Sequence, residues 1–197
     1  MARPERHPLP PKDFDERELP IEVVPASTVF VRIHRNDLGA LHFGRTGTNR
    51  FDDPEGKYGV CYLARSHEGA FAETCLRAVG AQFVATTFLQ GRSFAFVEAA
   101  GPLRLAVAYG PGLARLGATS VVSAGDHRRS RLWSRAMHDH PSAPDGLLYR
   151  ANHDNNEICA ALFERCRERL SIGASEPMLS DRVRLGALLD RYKVGLG

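Results

Sequence analysis

The chain has 197 residues, 43% hydrophobic and 25% charged, which suits one globular domain with a real core and leaves little room for two. Its formal charge of +3 comes from scattered basic residues, of which only Lys12, Lys57 and Lys193 are lysines, so no basic stripe argues for direct nucleic-acid binding. The four cysteines form no CxxC pair, and no stretch approaches the roughly 20 apolar residues that span a bilayer. A soluble cytoplasmic protein with reduced thiols and no membrane partner is expected, without a signal peptide at its N-terminus.

Residues 1–20 are rich in proline and charge and read as a flexible or surface-draped arm, with a single domain over residues 21–197. Ser27 to His34 has the β-branched and aromatic content of a strand, interrupted by Arg32. Gly44 to Gly56 is too glycine-rich for regular structure and predicts a loop, and Tyr58 to Ala64 predicts a second, partly buried strand. Ser66 is placed to cap a helix running to Val79, with Ala70, Phe71, Cys75 and Leu76 as its buried stripe and Glu73 within a turn of them.

Three strand-like runs follow, Phe83 to Leu89, Ser93 to Ala99 and Leu103 to Tyr109. Gly125 to His140 predicts an amphipathic helix with Leu132, Trp133 and Met137 inward. Asp145 to Ala151 is a short apolar run, Glu157 to Cys166 is compatible with strand or helix, and Ser180 to Val194 ends in a helix capped by Ser180 or in a returning strand. Without repeats or strict βαβ alternation, the mixture points to α+β.

Several residues carry chemistry in this pattern. The loop holding Arg50 is neither GxGxxG nor GxxxxGK[ST], so its glycines serve turns or close backbone approach, and Arg50 is either a phosphate clamp or a surface ion-pair partner. Arg32 in an apolar strand is costly unless paired, used or turned outward. Tyr62 offers a ring for stacking on a flat heterocycle with its hydroxyl in water. Glu73 has Arg77 at i+4 as an ordinary helical partner. His138 and His140 lack metal-ligand spacing, so no metal is expected, and the GASEP stretch is no nucleophile elbow.

As an ordered set the motifs say more than they do singly. VRIH, then HFGRTGTNRFDDPEGKYGVCYLA and AFAET, and later DGLLYRANHD leading into CAALF, together resemble the RES domain over roughly Val29 to Phe163. The resemblance implies an ADP-ribosyltransferase-like fold, a split antiparallel β core with surrounding helices about a cleft for NAD. It implies a toxin that consumes NAD as substrate at the nicotinamide–ribose bond, by hydrolysis or phosphorolysis, or that transfers ADP-ribose to a protein. An Xre-like helix-turn-helix antitoxin is the implied partner, and the oligomeric state stays open, a homo-oligomer included. By position, Arg32 and Arg50 correspond to the family's NAD-binding arginines, Tyr62 to the aromatic facing nicotinamide and Glu73 to the family's acidic residue, expected to act in catalysis as a carboxylate. One position departs: the family serine corresponds to Ala151, which leaves room for Asn152 as a substitute or for a catalytically idle binding module.

Overall fold

The computed structural model describes residues 8–76, 80 and 82–197. Strand β1 (Ile21–Val24) follows a 3-10 turn at Phe14–Glu16; β2 (Val29–Arg35) and β3 (Val60–Ala64) flank the glycine-rich loop, and helix α1 (His67–Cys75) follows. Next come β4 (Phe83–Val84), α2 (Thr86–Gln90), β5 (Arg92–Ala99), β6 (Leu103–Val107), and the helices α3 (Pro111–Leu116), α4 (Val121–Ala124) and α5 (His127–Asp139). The chain ends with β7 (Gly146–Ala151), β8 (Asp154–Phe163), a 3-10 segment at Glu164–Arg169, β9 (Leu170–Pro177), α6 (Arg182–Tyr192) and β10 (Gly195–Leu196).

Eight strands form one sheet in the order β1-β6-β7-β8-β3-β2-β5-β9, and β10 pairs with β4 in a separate two-stranded sheet. Every neighbour in the large sheet is antiparallel except β6 and β7, which are parallel. The anticipated α+β class and split core are therefore present. The split is visible in the register: β3 pairs with β8 over five positions and β2 with β5 over seven, whereas β2 and β3 touch at the single pair Val31↔Ala64. Two half-sheets thus diverge from that point, and α1 packs across both of them.

Alternation along the strands gives each face its own apolar cluster. Val31, Ile33, Val60 and Ala64 belong to the cluster that also holds Phe71 of α1, Trp133 and Met137 of α5, and Leu185 and Leu188 of α6. Phe30, Cys61 and Leu63 point to the opposite cluster with Phe43, Leu105 and Cys166. Close approach fixes β7 against β8: a Cβ on Gly146 would lie 2.4 Å from the carbonyl oxygen of Ala161, so only glycine fits there.

Several local expectations are corrected. Phe83 to Leu89 is a two-residue strand followed by α2 rather than one strand, because Ala85 to Leu89 close helical hydrogen bonds. Leu132 is 42% exposed while Trp133 and Met137 are fully buried, so the inward stripe of α5 is narrower than its apolar residues suggest. Asp181, not Ser180, caps α6, accepting a hydrogen bond from the Arg184 amide at 2.9 Å. Ser66 caps α1 as expected, accepting from Gly69 N at 2.9 Å; the helix's expected extension through Arg77 to Val79 lies outside the described residues. Of the proline-rich arm, residues 8–20 are described, and Phe14 and Leu19 in it are buried. Among the described residues no helix is long and apolar enough to cross a membrane.

Candidate active site

The split between β2 and β3 opens into a cleft of about 580 Å³, and Arg32, Arg50, Tyr62 and Glu73 all line it. Tyr149, Asn49, Asn152, His127 and His153 share its walls. Glu73 is the only carboxylate among the described residues lining this cleft, which otherwise carries four arginines and four histidines. Such a lining favours an anionic ligand and places one negative group at a defined point within it.

Helix α1 brings Glu73 there for a local reason. Its Ser66 cap fixes the first turn, Ala70, Phe71 and Ala72 bury one side, and Glu73 remains half-buried at the cleft margin. Two donors from the end of β7 then hold its carboxylate: the Tyr149 hydroxyl reaches Oε2 at 3.0 Å, and the Asn152 amide reaches Oε1 at 2.9 Å. Burial, with the Glu73 charge as a further cause, raises the Tyr149 hydroxyl well above an ordinary phenol, so it stays protonated and donates. The expected ion pair of Glu73 with Arg77 lies outside the described residues.

Arg50 stands next to this carboxylate. Its Nη1 donates to the Gly125 carbonyl at 2.6 Å, tying the loop to the segment before α5. Burial lowers its affinity for its proton, and the nearby charge of Glu73 is the largest influence in the other direction. The guanidinium is therefore a cation in the same electrostatic neighbourhood as Glu73, Tyr149 and Tyr62.

Tyr62 differs from expectation at its polar end. Its hydroxyl is not in water: it donates to Asp52 Oδ1 at 2.9 Å and accepts from the Phe51 amide at 2.9 Å. Burial and the Asp52 charge raise its pKa well above the usual value, keeping it a donor. The ring still lines the cleft, now as a locked wall.

Asp52 is the residue that sequence reasoning missed. It is fully buried and its Oδ2 accepts from the amides of Thr48 and Asn49 at 3.1 and 3.0 Å, so one carboxylate folds the loop and clamps Tyr62 at once. Next to it, Asp53 is equally buried, and its Oδ1 accepts from Arg135 Nε of α5 at 3.0 Å. The signal in the sequence was the pair of adjacent aspartates before a proline, read there only as part of a loop.

Arg32 is brought to the cleft but not into the cluster around Glu73. Its Nη1 donates to the Ala40 carbonyl at 2.6 Å and contacts Cys61 Sγ at 2.8 Å, and Cys61 belongs to the opposite face of the sheet from Tyr149. The half-buried charge in the strand is thus hydrogen-bonded to polar atoms at the split, which offsets part of the cost of desolvating it. Ala151 is fully buried in the cluster below Tyr149, whereas Asn152 is exposed and lines the cleft. Among the described residues no group of His, Cys, Asp and Glu is placed to hold a metal ion.

A split, mostly antiparallel sheet with a cationic cleft and one anchored carboxylate defines the class. The fold is similar to that of a chain in the crystal structure of the M. tuberculosis MbcT-MbcA toxin-antitoxin complex, with a TM-score of 0.63 and 16% identity over 87% of this chain and 91% of that one. In sequence, the chain is 34% identical over 122 residues to a protein described as probable toxin y4kH from Sinorhizobium fredii (strain NBRC 101917 / NGR234), covering 60% of this chain and 95% of that protein. Residues 29–181 match the profile of the RES domain, and the chain belongs to the RES domain family.

Proposed function

We propose that this protein is a RES-type toxin that cleaves NAD at the nicotinamide–ribose bond, by hydrolysis or phosphorolysis, and is restrained by a cognate antitoxin of the Xre-like helix-turn-helix type. The observation that carries the reading is Glu73, the single cleft carboxylate among the described residues, gripped by Tyr149 and Asn152 beside the half-buried cation of Arg50.

The chemistry asks for such a group. Nicotinamide leaves as a neutral base from a cationic ring, so acid assistance is unnecessary, and the demand falls on stabilising an oxocarbenium-like ribose. A carboxylate held by two donors cannot swing away, so its charge is in place before the bond breaks. It can also orient a ribose hydroxyl or an incoming nucleophile. Arg50 would neutralise part of the pyrophosphate, and the locked ring of Tyr62 would set the plane of nicotinamide. Arg32 would line the path at the split, where its bonds to Ala40 and Cys61 hold it.

The test is nicotinamide release and NAD loss by the purified protein without antitoxin, with and without phosphate, beside Glu73→Gln. Release that falls about 100-fold or more in the folded variant supports the reading; equal release by both proteins refutes the role of Glu73. Ala151 motivates a second reading, because a buried methyl stands where the resemblance places a substrate-contacting hydroxyl. NAD binding without release would favour a catalytically idle binding module, and label left on a co-incubated protein would favour ADP-ribosyl transfer.

A further inference from the structure

We propose that Tyr192 and Asp154 form a strut outside the cleft that sets the Asn152 amide against Glu73, and that both are positioning residues for the reaction. The inference rests on the function proposed above and adds to it the end of the C-terminal helix, which that reading leaves without a role.

Glu73 rides on α1, whereas the Asn152 amide that meets it at 2.9 Å belongs to the turn between β7 and β8. That bond therefore depends on the spacing of two separate elements. The turn does not fix the spacing by itself. Ala151 and Asp154 are paired, which leaves Asn152 and His153 as a two-residue connection. Neither has a positive φ, so this is not one of the primed turns whose twist matches a hairpin, and the register shifts beside it between Arg150 and Ala151.

The last residues of α6 supply what the turn lacks. The Tyr192 hydroxyl lies 3.1 Å from Asp154 Oδ2 and 3.2 Å from the Glu68 carbonyl, so its single proton is shared between the end of the hairpin turn and the start of α1. Its ring runs parallel to that of the buried Phe71 with centroids 5.8 Å apart, which keys it to the same helix. Asp154 is braced further: its Oδ2 accepts from Arg191 Nη2 at 3.3 Å, and its Oδ1 accepts from the Asn156 amide at 3.0 Å. Arg191 also reaches Glu157 Oε1 at 3.4 Å, and the other oxygen of Glu157 accepts from Ser66, the cap of α1. Glu73 lies five residues beyond Glu68, about 7.5 Å at the helical rise of ~1.5 Å per residue. Helix and hairpin are thus joined at two separated points, the strut and Glu73 itself, which fixes tilt as well as distance. Neither Tyr192 nor Asp154 lines the cleft, so their effect on the reaction passes through Asn152 and Glu73.

A carboxylate displaced by a fraction of an ångström leaves substrate binding intact and stabilises the transition state less well. The experiment measures nicotinamide release from NAD, and amide exchange by NMR, in the full-length wild type, Tyr192→Phe, Asp154→Asn and the double variant, with thermal melts confirming the folded state. Tyr192→Phe keeps the ring on Phe71 and removes only the hydroxyl. In each single variant kcat should fall about 10-fold with KM changed less than about 2-fold. The Asn152 amide should exchange about 10-fold faster while the amides of the β2–β5 ladder keep their protection. The double variant should lose about as much as the more damaged single one, because the two groups act through one bond. Losses that multiply overturn the strut. So does a lowered Tm with unchanged kcat, or unchanged exchange at Asn152, and in these cases the proposed function stands. No nicotinamide release from the wild type overturns the proposed function, and exchange at Asn152 then decides by itself whether the strut sets the turn.

Discussion

The Tyr149 hydroxyl donates to Glu73 Oε2 at 3.0 Å, so a fully buried ring on the sheet sets the position of the carboxylate at the cleft margin. The Phe51 ring packs against it with centroids 4.7 Å apart, which leaves the phenol little freedom to move. Tyr149→Phe removes the donor and keeps the packing. The expected outcome is a loss of about 1 to 2 kcal/mol of stability, the scale of one hydrogen bond to a charged acceptor at a partly exposed site. The kcat for nicotinamide release should fall about 10-fold or more with KM little changed, because the carboxylate is less well held in the transition state. Unchanged kcat in the folded variant would show that Glu73 is held adequately without the Tyr149 hydroxyl.

Asp52 carries the loop in the same way that Tyr149 carries Glu73. It is buried and accepts from Thr48 N, Asn49 N and the Tyr62 hydroxyl, so Asp52→Asn leaves a charge-assisted set of donors with a weaker acceptor and adds a buried amide that must find partners. A destabilisation of about 2 to 4 kcal/mol is expected, with faster hydrogen exchange at Thr48 and Asn49. At this chain length each kcal/mol lowers Tm by roughly 2 to 4 °C. Turnover should drop further than stability alone explains, since the Tyr62 wall loses its clamp. A variant with unaltered exchange at those two amides would contradict this account of the loop.

These two relationships also show how far the sequence could be read. Two strands, a glycine-rich loop and a capped helix are local features and were legible as such, but it was the resemblance of their order to the RES domain, not pattern alone, that assigned Arg32, Arg50, Tyr62 and Glu73 to one cleft, which all four line. Long-range pairing was not legible. Nothing near Glu73 in the chain announces Tyr149 and Asn152, which are 76 and 79 residues away. Nothing near Arg32 predicts that its guanidinium is turned to Ala40 and Cys61 at the split. The strand β9 was missed for a physical reason: it is an edge strand, largely exposed, so its residues carry little apolar alternation. The short helix α2 was misread because its threonines and phenylalanine favour strands by propensity, while its carbonyls and amides pair locally.

Stability should fall with acidification below about pH 6.5. Burial, reinforced by Arg184, lowers the pKa of His67 from its usual 6.5, against the opposing charges of Glu68, Glu176 and Asp181. Burial also lowers that of His138, with Arg165 in the same direction and Asp139 and Asp53 opposed. For both groups the unfolded chain binds the proton more readily. Their contribution is therefore complete above the unfolded value and is lost as pH falls from there through the lowered folded values. Melting curves at pH 7.5 and pH 5 test this. His67→Phe, which keeps the edge contacts with Phe94 and Phe96, should show a smaller acid-induced drop than the wild type. An equal or larger drop would remove His67 from the account.

The N-terminal segment offers a test with a built-in probe, because the chain has one tryptophan. Trp133 Nε1 donates to the Pro8 carbonyl at 2.9 Å, and the Phe14 ring meets the indole edge-on at 5.5 Å. Phe14 also packs edge-on against His140, whose Nε2 lies 3.0 Å from the Arg17 carbonyl. Removing residues 1–20 would uncover an indole that is fully buried and leave its N–H without the Pro8 acceptor. Loss of the buried Phe14 side chain alone is worth roughly 2 to 3 kcal/mol of apolar burial, and Leu19 adds to it. The shortened protein should therefore show red-shifted tryptophan emission and a lower Tm. The cleft lies on other elements, so KM for NAD should change less than stability does. Emission and Tm identical to those of the full chain would mean that this segment contributes no burial in solution.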